Sequence, residues 1–244
     1  MRLISVVFTF LVYICPIFSQ SSSSLPNFSS NISADTFAVN MYQRIMNHNH
    51  DLVNGREYFP YHNVHHSNPF FKSEINATGT VYSNGKTYPG LHIFYDIYKD
   101  EIILSYLNPV GSVKLIILNN HAIDSFQIVI NTVPTTFQPF FFPADFKIKS
   151  GFYEVSYNGK TKLLIKHKKE VTMKDGYDEY PYSTQKYLYI NENYYPITTQ
   201  SRFQKLFGDK NSLIKKQIRS LHISSFREIT DIEIIPILRY YETL

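Results

Sequence analysis

Residues 79–106 read GTVYSNGKTYPGLHIFYDIYKDEIILSY, and their period of two decides the fold class. Leu91, Ile93, Tyr95 and Ile97 fall on one face of an extended segment, with His92, Phe94, Asp96 and Tyr98 on the other. Asn84-Gly85 separates Val81–Ser83 from Lys86–Tyr88, and this dipeptide accepts the positive φ angles of a type I′ turn. Lys99-Asp100 then turns the chain into a further strand, Glu101–Tyr106. The stretch predicts consecutive antiparallel hairpins.

Downstream, strands are expected at Val113–Leu118 and Phe126–Ile130. Val133–Pro143 (VPTTFQPFFFP) holds three prolines and reads as a loop carrying aromatic side chains. A second strand run starts at Gly151: Phe152–Tyr157, the turn Asn158-Gly159, and Lys160–His167. The tetrapeptide Asn-Gly-Lys-Thr occurs in both runs, at 84–87 and 158–161, but the flanks do not align, which favours turn convergence over duplication. Lys174–Ser183 (KDGYDEYPYS) reads as a polar loop, and Lys186–Ile190 with Tyr194–Ile197 as a hairpin around Asn191-Glu192-Asn193.

The last 45 residues, 200–244, change period again. Ile214, Ile218 and Leu221 line one helix face, with Asp209 or Asn211 able to cap it. Ile234, Leu238 and Tyr241 repeat the spacing in a final helix, kinked or begun late because of Pro236. Strands first and helices last predict α+β: an antiparallel, hairpin-rich sheet, open barrel or sandwich followed by two C-terminal helices. A helical end also argues against an outer-membrane barrel.

Toward the N-terminus the pattern is one of export. Arg2 precedes an apolar run, Leu3–Cys15, too short for a membrane span but suited to a signal h-region. Pro16 breaks it, and Ser19|Gln20 is the best cleavage point. An uncleaved anchor fits the flanks less well, and lipidation at Cys15 is disfavoured by the bulky Tyr13-Ile14 before it. The expected organisation is a signal peptide at 1–19, a Ser/Asn-rich leader at 20–33, and a β-rich domain at 34–198. Within that domain two sub-sheets are possible, 50–145 and 150–198, and a helical segment, 199–244, packs on the sheet. Residues 34–49 can form a short helix through Phe37, Met41 and Ile45.

Cys15 is the sole cysteine, so the cleaved chain forms no disulfide, which favours a bacterial envelope protein over a eukaryotic secreted domain. Sequons at Asn27, Asn31 and Asn76 carry no meaning in that setting. No second run is long enough to span a membrane. Residues 20–145 carry 6 Lys+Arg against 9 Asp+Glu, and residues 146–244 carry 17 against 11. The basic half suits an acidic glycan, a lipid or an acidic protein patch, whereas export directs the chain away from nucleic acid.

Histidine is the clustered reactive type: His48, His50, His62, His65 and His66 lie within 19 residues, with Asp51 and Glu57 nearby. Converging imidazoles would ligate zinc or copper, but the spacing matches no known ligand pattern, and loop histidines among Asn, Tyr and Pro are the favoured reading. No serine stands in a GxSxG elbow, and no glycine-rich phosphate loop or other cofactor motif is present. Asp96 with Asp100-Glu101, and Asp178-Glu179, are carboxylate pairs whose separation the sequence does not give.

Lys162, Lys166 and Lys168 alternate with Leu163 and Ile165, giving either a cationic ladder for an anionic ligand or a lysine-protected edge strand. Phe137, Phe140, Phe141 and Phe142 form either an apolar binding patch or a lid folded onto the sheet.

Several stretches together resemble a family of uncharacterised exported proteins of Bacteroidetes-type bacteria. They are Asn54-Gly55 with Glu57-Tyr58 and Tyr61, Pro69-Phe70-Phe71, Gly79–Tyr82 with Gly85 and Tyr88, and Tyr95–Tyr98 with Asp100. Gly151–Glu154 with Tyr157, Gly159 and Lys160, and the closing Tyr240-Tyr241, complete the set. The resemblance implies an envelope location, in periplasm or at the surface, and a β-rich domain; it brings no catalytic residues.

The expected function is an exported, non-enzymatic binding or scaffolding protein whose partner is an envelope protein, glycan or lipid. A metal-dependent or hydrolytic enzyme using the 48–66 histidines is one alternative. A binder of anionic glycan or lipid through strand 160–169 is the other.

Overall fold

The computed structural model describes residues 52–61, 67–72, 77–108, 111–223, 225–226 and 228–244. The signal segment, the leader, the 34–49 helix and all five clustered histidines lie outside the described residues.

Eleven strands form one antiparallel sheet. In chain order they are β1 (Arg56–Glu57), β2 (Thr78–Ser83), β3 (Lys86–Asp96), β4 (Glu101–Leu107), β5 (Val113–Ile117), β6 (Ile123–Ile130), β7 (Val133–Phe140), β8 (Gly151–Asn158), β9 (Lys162–Lys169), β12 (Tyr182–Ile190) and β13 (Asn193–Pro196). A separate two-stranded hairpin, β10 (Thr172–Lys174) and β11 (Tyr177–Glu179), extends from the β9–β12 connection. The spatial order is β1-β5-β4-β3-β2-β6-β7-β8-β9-β12-β13, an open sheet rather than a closed barrel. Both strand runs therefore belong to one sheet, joined where β7 pairs with β8.

The sheet curls around its aromatic residues. Tyr95 of β3 packs edge-on against Phe126 of β6 at 5.2 Å, Phe137 of β7 at 5.0 Å and Phe152 of β8 at 6.1 Å. Phe71 reaches further, to Phe137 and to His167 of β9, so one ring cluster links β3 to β9. Burying each such side chain contributes about 1.5–3 kcal/mol, before the geometric preference of paired rings is added.

Three helices close the chain: α1 (Gln200–Lys205), α2 (Asn211–Ser220) and α3 (Asp231–Glu242). Phe203, Phe207, Ile214, Ile218, Ile234, Ile237 and Leu238 bury their side chains with Leu163, Leu188 and Ile190 of β9 and β12. The predicted α+β class stands, with local differences. α1 lacks an apolar period long enough to be read, and Thr199 caps it by accepting from Arg202 N. α2 is preceded by a 3₁₀ turn at Gly208–Lys210, so its cap is Lys210 and neither Asp209 nor Asn211 serves. α3 starts five residues before Pro236, because Thr230 and Glu233 close a capping box.

Two predicted loops are strands. Val133–Phe140 is β7, paired with β6 over 133–137 and with β8 over 137–140. Its prolines fall where one ladder is missing: Pro134 lies beyond the β8 ladder and Pro139 beyond the β6 ladder. With the two-residue turn Asn131-Thr132 setting the alternation, each ring nitrogen faces the missing ladder, so no hydrogen bond is lost. Lys174–Ser183 contains the Asp175-Gly176 turn of β10–β11, both residues at positive φ.

Candidate functional site

Strand β9 was the sharpest sequence candidate, and its place in the sheet changes the meaning of its lysines. It is interior, paired with β8 on one side and β12 on the other, and is not an edge strand. Lys162, Lys166 and Lys168 do share a face, but Leu164 stands among them, buried with Tyr153 and Tyr187. Lys166 is itself buried, 7% exposed. Its Nζ donates to Asp100 Oδ1 at 2.9 Å and to the Phe152 carbonyl at 2.9 Å, and lies 5.1 Å over the Tyr153 ring. The anion that Lys166 meets is thus a carboxylate of its own chain. Burial pushes its ammonium below the usual lysine range, and Asp100 opposes that only in part. Lys162 lies over the Tyr189 ring at 5.8 Å, and Lys168 donates to Gln185 Oε1 at 2.9 Å. Both are half-buried, so two separated ammonium groups remain of the expected ladder.

Asp100 is a hub. Besides Lys166 it accepts from the Tyr95 hydroxyl and from Phe152 N. Burial first, and the Asp100 charge second, hold the Tyr95 hydroxyl well above its ordinary pKa, so it remains a donor. Gly151, at φ 136°, makes this approach possible: a Cβ there would stand 1.9 Å from Asp100 Oδ2 and 2.7 Å from Lys166 Nζ.

On the opposite face of β9, His167 joins Glu154 and Tyr182. Its Nε2 lies 2.6 Å from Glu154 Oε2 and its Nδ1 2.6 Å from the Tyr182 hydroxyl. An ionised carboxylate only accepts, so Glu154 places the proton on Nε2 and leaves Nδ1 to accept from Tyr182. A histidine oriented by a carboxylate against a hydroxyl has the outline of a nucleophile relay. The environment works against that use. His167 is 4% exposed and wedged against Phe71 and Phe137, while burial and Glu154 push the Tyr182 hydroxyl up to about 12. A raised phenol keeps its proton, so the cluster serves as a fixed hydrogen-bond chain across β8, β9 and β12. Spacing gave no sign of it, because Glu154 and Tyr182 are brought to His167 by strand register.

The four phenylalanines are split between environments. Phe137 is fully buried on the inner face, stacked 4.8 Å from Phe126. Phe140 and Phe142 pack on the outer face against Tyr153 and Tyr194. Phe141 alone is exposed, with His121 stacked at 6.4 Å. They form no continuous apolar patch.

Of the other carboxylates, Asp96 is fully buried and accepts from Tyr61 OH at 2.7 Å and from the backbone N of Tyr98 and Lys99. Asp178 and Glu179 lie in the β10–β11 hairpin. Among the described residues no three His, Cys, Asp or Glu side chains converge to hold a metal ion. No described helix is long and apolar enough to cross a membrane.

One cleft differs in kind. Between the β13 edge and the helices lies an opening of about 360 Å³, lined by Asn191, Tyr195, Lys205, Leu206, Phe207, Gly208, Asp209 and Tyr241. Phe207 forms a firm floor, 2% exposed, with the Tyr241 ring packed 4.9 Å from it. Neither the sequence periodicity nor any motif marks this place, since its walls come from a turn, an edge strand and two helix ends.

No protein-family model, no curated protein and no solved structure matches the chain.

Proposed function

We propose that the chain is an exported, non-enzymatic protein that binds or scaffolds a component of the bacterial envelope. The signal-like residues 1–19, the resemblance to exported Bacteroidetes-type proteins and the basic C-terminal half support the location. Support for binding rather than turnover comes from one observation, the way reactive side chains are used. Lys166, Asp100, His167, Glu154 and Asp96 are each engaged in hydrogen bonds or ion pairs inside the sheet. A catalytic group must be free to exchange protons or bonds with a substrate, and these hold strands in register instead.

The experiment is recovery of the protein from its host. The expected result is a chain beginning at Gln20 in the exported fraction and saturable co-sedimentation with isolated cell envelopes. An intact Met1 chain retained in the cytoplasm, or the absence of saturable binding, would overturn the proposal.

A further inference from the structure

The cleft between β13 and the helices carries polar groups that the fold leaves unused. Among the described residues, the Tyr195 and Tyr241 hydroxyls, Lys205 Nζ and the Asp209 carboxylate make no hydrogen bond or ion pair, and all four side chains line this one opening. Elsewhere the hydroxyls of Tyr61, Tyr95, Tyr153, Tyr157 and Tyr182 are bonded, while that of Tyr58 is buried without a partner. What sets the cleft apart is that four such groups line one opening. Gly208, at φ 57°, has nothing within 4 Å of where a Cβ would stand, so its backbone is open to the cleft.

We propose that this cleft is a site for an acidic saccharide of one or two uronate-type rings, a reading that rests on the chain being a binding protein. Its volume of about 360 Å³ lies at the lower end of small-molecule sites, which suits a ligand of that size. Residues 199–222 carry six Lys+Arg against Asp209 alone, so the cationic excess lies on the helical wall of the cleft. Glu192 and Glu242 adjoin its other lining residues, Asn191 and Tyr241. Lys205 supplies the charged donor for one acid group. Asp209 beside it disfavours a polyphosphate or densely sulfated ligand, whereas its carboxylate and the Asn191 amide suit sugar hydroxyls. The Tyr195 and Tyr241 hydroxyls add to a lining that is mainly polar, as a ring bearing several hydroxyls requires.

Calorimetric titration of the purified protein with digalacturonate tests this, with neutral digalactose and glycine as the other arms. Saturable digalacturonate binding is expected, about tenfold or more tighter than digalactose, since one charge-assisted bond is worth at least that factor. Lys205→Gln should weaken it by a similar factor and Tyr241→Phe by a few-fold, both without change in melting temperature. Lys162→Gln should leave it unaltered.

A flat titration to about 10 mM, where binding is too weak to be a site, would overturn the proposal. So would equal affinity for digalactose, or an unaffected Lys205→Gln variant. Displacement of digalacturonate by glycine, a zwitterion able to span Lys205 and Asp209, would reassign the cleft to amino acids. A flat titration by protein that still binds isolated envelopes defeats the saccharide site alone. Failure of envelope binding as well defeats the broader reading.

Discussion

The two ends of β8 are each fastened by a carboxylate from a distant part of the chain, and they differ in what the carboxylate meets. At the Gly151 end, Asp100 accepts from Tyr95, from Phe152 N and from the buried ammonium of Lys166. At the Asn158 end, Glu242 of α3 accepts from Thr161 N at 2.7 Å, Thr161 Oγ1 at 2.8 Å and the Tyr157 hydroxyl at 2.9 Å. In both places a glycine leaves the room: a Cβ on Gly159 would stand 2.5 Å from Glu242 Oε2, as one on Gly151 would strike Asp100. Both carboxylates are half-buried, but Asp100 meets a cation and Glu242 neutral donors only. The ammonium explains the difference: Lys166, 7% exposed, is a charge nearly out of water and needs an opposite charge, while a carboxylate still touching water needs only N–H and O–H partners.

Breaking the inner end should cost most. Asp100→Ala leaves Lys166 charged and unpaired in the sheet, and a loss of about 3–5 kcal/mol is expected in urea denaturation. Gly151→Ala should approach that loss, because it expels the same carboxylate and adds strain at a positive φ.

The outer end should be milder. Glu242→Gln keeps the shape but weakens three bonds, for an expected loss of about 1–2 kcal/mol. Gly159→Ala should match it, since the displaced atoms are the tips of Glu242 and Tyr157. Their shared origin is checked by the double variant, which should lose little more than either alone.

Acid should separate the ends as well. Burial acts to raise the Glu242 carboxyl, but bonds from Thr161, Tyr157 and Lys160 N outweigh it and hold the group below its ordinary value. A carboxyl depressed in the folded state stabilises fully above its unfolded pKa of about 4.3 and loses that contribution as pH falls through the folded value. Below about pH 5, then, the wild type should lose more stability than Glu242→Gln does.

The smallest effect belongs to Gly85, in the first copy of Asn-Gly-Lys-Thr. It has φ 73° and no atom within 4 Å of a would-be Cβ. Gly85→Ala should cost only the left-handed backbone term, about 1 kcal/mol by the same denaturation assay.

That pair of identical tetrapeptides also shows where sequence reading reaches its limit. Asn84-Gly85 forms the two-residue turn its residues favour, and the alternation of Leu91, Ile93 and Tyr95 places all three in the core. Asn158-Gly159 has the same local chemistry yet forms a longer loop, with Gly159 N bonded to the Thr161 carbonyl, because Glu242 occupies the space beside it. A partner 83 residues away decided that geometry, and nothing in the tetrapeptide records it.

The lysines follow the same rule. Alternation gave the face of Lys162, Lys166 and Lys168 correctly, but whether a strand is edge or interior depends on pairing with β8 and β12. For β7 the limit is different in kind: proline breaks a strand only where its nitrogen faces a ladder, and residue type alone does not say which ladder it faces. The cleft was invisible for the plainest reason, as Asn191, Lys205 and Tyr241 have no common period.

Whether Lys166 belongs to the fold rather than to a ligand is tested most directly by a double-mutant cycle of Asp100→Asn with Lys166→Met. A coupling of about 1.5 kcal/mol or more between the two substitutions is predicted, as for neighbours in one buried network. Additivity within about 0.5 kcal/mol would contradict it, leaving the ammonium of Lys166 free for an anion from outside.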